Sequence, residues 1–402
     1  MRESFRFLSP YYLIYCGRIL LKKYALLFLG VTLLLKITLI KRLPRVNDRI
    51  LVVVLPAPLG MGDILMLSPL LEHLHNHKAL SIYAANANPF QTSFQWQHCT
   101  SITSLIKDAC KEARERDGTL VILKPSLRAL GLLFFYAPPS FCLACLDSLG
   151  ITTRGITSTR ALSSYLRITS SGYLSRAVEL LEHSGLLPLS SSAVELKRAP
   201  LKMSVVTKNR AIALLHEHTQ HKKLIALAPF VTWRSRRWPV THWKTLTTML
   251  INAEMVPLFI GGADSSSYTE EILQGVAPEL VLNYTGSTNL EESASLLSAV
   301  DALISSDSGV MHVGMSCGTP LVALFGSTPS RDRIEGVPVE SLRIIEGYAH
   351  CRLAPCYSGY GEVVCPFNHE CINHILPEEV YENLISLLDS RARNRCESIP
   401  RD

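Results

Sequence analysis

The sequence predicts an α/β protein built from two doubly wound domains. Three observations support this reading. Short continuous apolar runs, among them Ile50–Leu55 and Leu321–Phe325, have the character of strands buried on both faces. Helical patterns alternate with those runs over most of the chain. The length of 402 residues, with 48% hydrophobic content, exceeds what one core usually serves. Ser190, Ser191, Ser192 and Pro200, with scattered Lys and Arg, interrupt the periodicity over residues 190–207. We therefore expect a basic and apolar segment at 1–47, a first domain at 48–200, a second at 201–376, and a final helix and tail at 377–402.

The net charge of +6 comes from the first segment. Residues 1–50 carry ten Lys and Arg against Glu3 and Asp48, leaving −2 for the remainder. A nucleic-acid binder would spread its basic charge over the folded domains, so that class is excluded. The basic residues flank an apolar run at 24–35, which Lys36 interrupts before Ile37-Thr38-Leu39-Ile40. Twelve residues, or even seventeen with an internal Lys, fall short of the ~20 that span a bilayer. Snorkelling of Lys36 leaves a span open. Basic residues balance on the two sides, so the positive-inside rule sets no topology. The stretch before the apolar run is long and no small-residue cleavage site follows it, unlike a secretory signal. The segment is expected to lie in or dip into an anionic leaflet through residues 11–45.

Ile50–Leu55 runs into Pro56-Ala57-Pro58-Leu59-Gly60-Met61-Gly62-Asp63 and then a helical pattern over 64–74. This is a glycine-containing strand-to-helix turn, but no G-x-G-x-x-G or Walker sequence is present. Read alone, Asp63 equally fits a helix N-cap. Between about His77 and Lys223 the pattern gives a strand at 120–123 and a helix at 173–181, with no distinctive motif. A further strand at 224–229 leads into Phe230-Val231-Thr232-Trp233-Arg234-Ser235-Arg236-Arg237-Trp238-Pro239 and a helix from about Thr241. These arginines suit either a solvated basic loop or a grip on an anion, with Trp238 as a core anchor. Strand 256–260 ends in Gly261-Gly262-Ala263-Asp264, and strand 280–283 in Thr285-Gly286-Ser287-Thr288, each followed by a helix.

The most informative stretch is 301–329. A buried strand over 300–304 enters the turn Ser305-Ser306-Asp307-Ser308-Gly309. A helix over 310–317 is closed by Gly318, and the strand Leu321–Phe325 ends in Gly326-Ser327-Thr328-Pro329. Such a turn presents free backbone N–H groups at a helix N-terminus, a ready site for phosphate. Asp307 is expected to cap the helix or to hold neighbouring hydroxyls and amides. An exposed His312 in the first turn is expected to reach the same anion.

Ser306-Asp307-Ser308-Gly309-Val310-Met311-His312, with Gly318-Thr319-Pro320 and Phe325-Gly326-Ser327-Thr328, resembles the donor-site motif of the lipopolysaccharide heptosyltransferases, glycosyltransferase family 9. Gly62-Asp63 with the following L-M-L-S-P-L-L, and Arg236-Arg237-Trp238-Pro239, are similar to two further signatures of that family. The resemblance covers about residues 50–388. It implies the GT-B fold, two Rossmann-like domains facing a central cleft. It also implies transfer of a sugar, most often heptose from ADP-heptose, onto lipopolysaccharide core or a related lipid-linked glycan with inversion. Asp63 would be the catalytic base, since an acceptor hydroxyl must lose its proton as it attacks the anomeric carbon. Thr232, Ser235, Arg236, Asp307, Ser308, Gly309 and His312 would hold the diphosphate, with Arg236 where the family commonly has Lys. Gly261, Gly262, Gly286, Ser287 and Thr288 would border the nucleoside. No cofactor and no metal is implied, and the chain would work at the cytoplasmic face of a bacterial inner membrane. Pro56 and Pro58 depart from the family's turn before Gly-Asp.

Two other readings stay open at this point: a silent membrane-attached protein that binds a nucleotide sugar for assembly, and a nucleotide-sugar epimerase of the same fold. Eleven cysteines are present. Cys351, Cys356, Cys365 and Cys371 have the loose spacing C-x4-C-x8-C-x5-C, which fits a plain loop, a structural metal or a disulfide. Cys142 and Cys145 on an apolar stretch are read as buried thiols.

Overall fold

The structure, a computed structural model, describes residues 50–55, 61–84, 97–99, 101–123, 127–136, 141–144, 156–157, 175, 178–179, 181, 201, 203–219, 222–356 and 365–397. The expected membrane-associating segment, the turn at 56–60 and Cys145 lie outside these residues. Among the described residues no helix is long and apolar enough to cross a membrane. The chain divides into two compact units. The first takes residues Met1–Lys197 together with Arg331–Glu335 and Ser358–Val364; the second takes Arg198–Ser330, Gly336–Tyr357 and Cys365–Asp402.

In the first unit the elements run β1 (Ile50–Leu55), α1 (Met61–His77), β2 (Ala79–Ala84), β3 (Gln97–His98), α2 (Ile102–Glu115), β4 (Thr119–Leu123), α3 (Leu127–Tyr136), β5 (Phe141–Ala144) and β6 (Ile156–Thr157). The sheet order is β3-β2-β1-β4-β5-β6, with β6 antiparallel to β5 and every other pairing parallel. β1 alternates its side chains between two cores. Leu51, Val53 and Leu55 join Ile64, Leu67, Leu70, Leu71 and Leu74 of α1, while Val52 and Val54 join α2 and α3. Both faces are covered, which explains an apolar run with no polar alternation. Pro69 lies inside α1 and cannot donate to the carbonyl four residues back, that of Leu65. Ser68 Oγ donates to that carbonyl instead, at 2.9 Å.

The second unit continues with α4 (Val205–Thr219), β7 (Leu224–Ala228), α5 (Val240–Asn252), β8 (Val256–Phe259), α6 (Ser266–Leu273), β9 (Leu282–Asn283) and α7 (Leu290–Ala299). It closes with β10 (Ala302–Ser306), α8 (Gly309–Ser316), β11 (Leu321–Phe325), β12 (Leu342–Glu346), α9 (Glu370–Asn373) and α10 (Pro377–Glu397). Its six strands are all parallel in the order β12-β11-β10-β7-β8-β9. The chain moves outward from β7 to β9, then returns to the other side of β7 with β10. A crevice therefore opens between the C-terminal ends of β7 and β10, the switch point where open α/β sheets bind ligands. In the first unit the same reversal falls between β1 and β4.

Trp238 is fully buried. Its Nε1 donates to the Ile375 carbonyl at 2.8 Å, and its ring meets Trp243 edge-on at 4.8 Å. The core anchor expected of Trp238 is therefore present, and it ties the loop after β7 to the segment that precedes α10. α8 lies close on β10 because residue 314 is glycine. A Cβ there would come within 2.5 Å of Leu303 Cδ2, in a core position with no exposed surface. We expect Gly314→Ala to destabilise the protein by about 1–3 kcal/mol through overpacking, read from the urea unfolding midpoint.

Candidate functional site

The expected diphosphate residues sit at the C-terminal ends of β7 and β10. After β7 the chain makes a 3-10 turn, Arg234–Arg236, and Arg237 fastens this loop in place. Its Nε and Nη2 donate to the Val231 carbonyl at 3.1 and 2.8 Å, and its guanidinium lies over the Phe230 and Tyr268 rings. Tyr268 donates in turn to the Trp238 carbonyl at 2.6 Å, and burial pushes its phenol up to about 12, so it stays neutral. With the loop held, Arg236 points its Nη1 to Asp307 Oδ2 at 3.2 Å and stacks on Trp233 at 4.4 Å. The pair stands across the switch point, one partner after β7 and the other after β10.

Asp307 does not cap α8. Ser308 does: its backbone is extended and its Oγ accepts from Met311 N–H at 3.2 Å. Asp307 is one residue too early for that bond and turns to Arg236 and His312 instead. His312 Nε2 lies 3.8 Å from Asp307 Oδ1. His312, expected to be exposed, is 3% exposed, because the first turn of α8 is packed on the sheet. Gly309 opens the helix, so its amide and that of Val310 belong to the first turn, where N–H groups lack an intrahelical acceptor. Ser235 is buried and its Oγ accepts from Ser327 Oγ at 3.1 Å, which brings the loop after β11 against the loop after β7. Thr232 is exposed at the same strand end, and its carbonyl accepts from Arg237.

The expected nucleoside residues form a second group at the ends of β8 and β9. Gly286 N–H donates to the Gly261 carbonyl at 2.9 Å, so these two glycine turns are joined directly. Gly286 has φ +73, and a Cβ on it would lie 2.8 Å from Ser266 Oγ. Side chains are excluded there by both backbone and space. Ser287 N–H donates to the Tyr284 carbonyl, and Thr288 Oγ1 pairs with Ser293 Oγ at 2.8 Å. Gly262 precedes the 3-10 turn Ala263–Ser265. Because the sheet is wholly parallel, both groups occupy the same edge of it.

Asp63 lies in the first turn of α1, just past the C-terminal end of β1 and hence at the first unit's own switch point. Sequence reasoning missed Arg333. It belongs to the Arg331–Glu335 stretch of the same unit, is 6% exposed, and places Nη1 4.0 Å from Asp63 Oδ1. The Arg-Asp-Arg triplet that follows the Gly-Ser-Thr-Pro-Ser turn was the available signal, since charged residues beside a glycine turn are seldom buried without a partner.

Cys351, Cys356, Cys365 and Cys371 are free thiols. Burial, helped by the neighbouring thiols, pushes Cys356 up to about 12 and Cys371 up to about 11, so both stay protonated near neutral pH. Among the described residues no group of three or more His, Cys, Asp or Glu is placed to hold a metal ion.

Comparison with known proteins agrees with this fold. The sequence model of glycosyltransferase family 9 (heptosyltransferase) matches residues 163–350. Lipopolysaccharide heptosyltransferase 2 of Salmonella typhimurium is 33% identical over 158 residues, 38% of this chain and 43% of that protein. The chain thus matches less than half the length of this relative. Among solved structures, a glycosyl transferase family 9 protein from Veillonella parvula superposes with a TM-score of 0.61 at 18% identity, covering 86% of this chain and 98% of that one. The E. coli ADP-heptose LPS heptosyltransferase II gives 0.58 at 19% identity, covering 86% and 99%. At those identities the likeness is one of fold, the GT-B type of α/β protein with two parallel sheets. In sequence over residues 163–350, and in fold over most of its length, this chain is thus similar to glycosyltransferase family 9 (heptosyltransferase).

Proposed function

We propose that the chain transfers a sugar, heptose in the first instance, from a nucleotide diphosphate onto lipopolysaccharide core or a related lipid-linked glycan, with inversion. The observation that carries this reading is the Arg236–Asp307 pair set at the switch point beside the N-terminus of α8. A guanidinium, two first-turn amides and a buried imidazole gathered there suit a group with two phosphates. The names of the relatives support ADP-heptose as donor and lipopolysaccharide as acceptor.

The chemistry follows from the residues. The acceptor hydroxyl attacks the anomeric carbon while the bond from that carbon to the diphosphate oxygen breaks. Asp63 takes the hydroxyl proton as general base. The leaving diphosphate gains negative charge, which Arg236 and the α8 amides stabilise without a proton donor. Asp307 keeps Arg236 aimed before the donor arrives, so less ordering is needed on binding. The paired glycine turns at Gly261 and Gly286, with Ser287 and Thr288, border the nucleoside; glycine at both positions lets these turns pack closely against Ser265 and Ser266. Residues 11–45 attach the enzyme to the cytoplasmic membrane face, close to a lipid-linked acceptor.

Asp63→Ala should lower transfer by about 10²–10⁴-fold, in line with loss of a general base, and leave ADP binding within about twofold. Mass spectrometry of the acceptor glycan and calorimetry with ADP measure the two. Arg236→Ala should weaken ADP binding by about 10- to 100-fold, since one charge-assisted contact is lost and Asp307 then faces the phosphates uncompensated. Equal ADP affinity in that variant would remove the diphosphate assignment. Deletion of residues 1–47 should abolish sedimentation with vesicles of anionic phospholipid, and unchanged sedimentation would remove the anchor.

A further inference from the structure

Arg333 is a buried cation that the reaction as described does not use. Its side chain is 7% exposed and closes on the first turn of α1, with Nη1 4.0 Å from Asp63 Oδ1 and 3.9 Å from Met66 Sδ, one turn along the same helix. Glu335, two residues further on, accepts from Ser175 N–H and Oγ, so the Arg331–Glu335 stretch is fixed to the first unit at its middle and at one end. A cation beside the first turn of a helix meets the positive end of the helix dipole. Burial adds a desolvation penalty. The carboxylate of Asp63 offsets both, so the two charges specify one another's position.

We infer that Arg333 is a positioning residue for Asp63, holding the carboxylate aimed for its encounter with an acceptor hydroxyl. The spacing fits that task. At 4.0 Å the opposite charges still attract, which orients the carboxylate without a bidentate clamp between the two. The inference rests on the transferase reading, because a carboxylate with no proton to take has no need of aiming.

The test pairs a kinetic split with an unfolding cycle. Arg333→Gln should lower kcat by roughly 10- to 100-fold, the cost of a slightly misplaced catalytic group, and leave the donor KM within about twofold. Arg333→Lys, which keeps the charge, should recover most of the loss. In an Asp63→Asn background, Arg333→Gln should add nothing, since the group it acts through is gone. Independently of turnover, the shifts in urea midpoint caused by Asp63→Asn and Arg333→Gln should not add in the double variant. Wild-type kcat in Arg333→Gln, a loss confined to KM, or additive unfolding shifts would each overturn the role of Arg333. A wild type that transfers no sugar removes the transferase reading, and the positioning role falls with it. The unfolding cycle still tells whether the two charges are paired.

Discussion

The second unit is organised around one buried pair of charges, Arg236 and Asp307. Their side chains are 15% and 4% exposed, so each would be costly to hold in place without the other. A buried pair of this kind contributes little net stability, because desolvation offsets much of the attraction. What it supplies is position. Arg236 arrives on a loop that Arg237 and Tyr268 clamp, and Asp307 arrives on a strand whose next residue caps a helix. Two independent pieces of chain are thereby fixed to within a hydrogen-bond length at the one place where the sheet order opens a crevice.

The first unit repeats the arrangement with the signs rearranged. There the carboxylate, Asp63, starts the helix after the central strand, and the cation, Arg333, comes from a distant part of the chain. In the proposed reaction the cation of the second unit receives the anion and its carboxylate steadies it; in the first unit the roles are exchanged. One sheet topology can therefore present a base or an anion receptor, according to which charge is nearer the crevice. The local departures serve the same end. Ser68 supplies the donor that Pro69 lacks, keeping α1 continuous behind Asp63.

Much of this was readable from the residues. The strands at 50–55 and 321–325 were bounded correctly because both faces of a parallel strand are apolar and glycines or polar turns mark the ends. Strand β10 begins and ends two residues later than the apolar run suggests, because Ser305 and Ser306 are buried and continue the ladder to β11. Hydroxyl residues in a strand carry no apolar signal. The cap of α8 was open to error for a related reason: Asp and Ser are both good caps, and only the cation across the crevice decides which one is free to do it. The depth of His312 depends on packing between α8 and the sheet, which no local pattern records. The charged triplet flags Arg333, but its pairing with Asp63 was beyond reach because the two lie 270 residues apart in sequence.

The discontinuity of both units has a consequence for any attempt to isolate the region that the family model matches. The family match ends at residue 350, yet Ile372, Ile375, Val380, Leu384 and Leu387 from beyond it are buried with Trp238 and Leu324 in one core. A fragment trimmed to the match would bare that apolar face, and would cut Arg331–Glu335 away from the unit it packs with. The homologous region is thus a unit of descent and recognition without being a unit of folding.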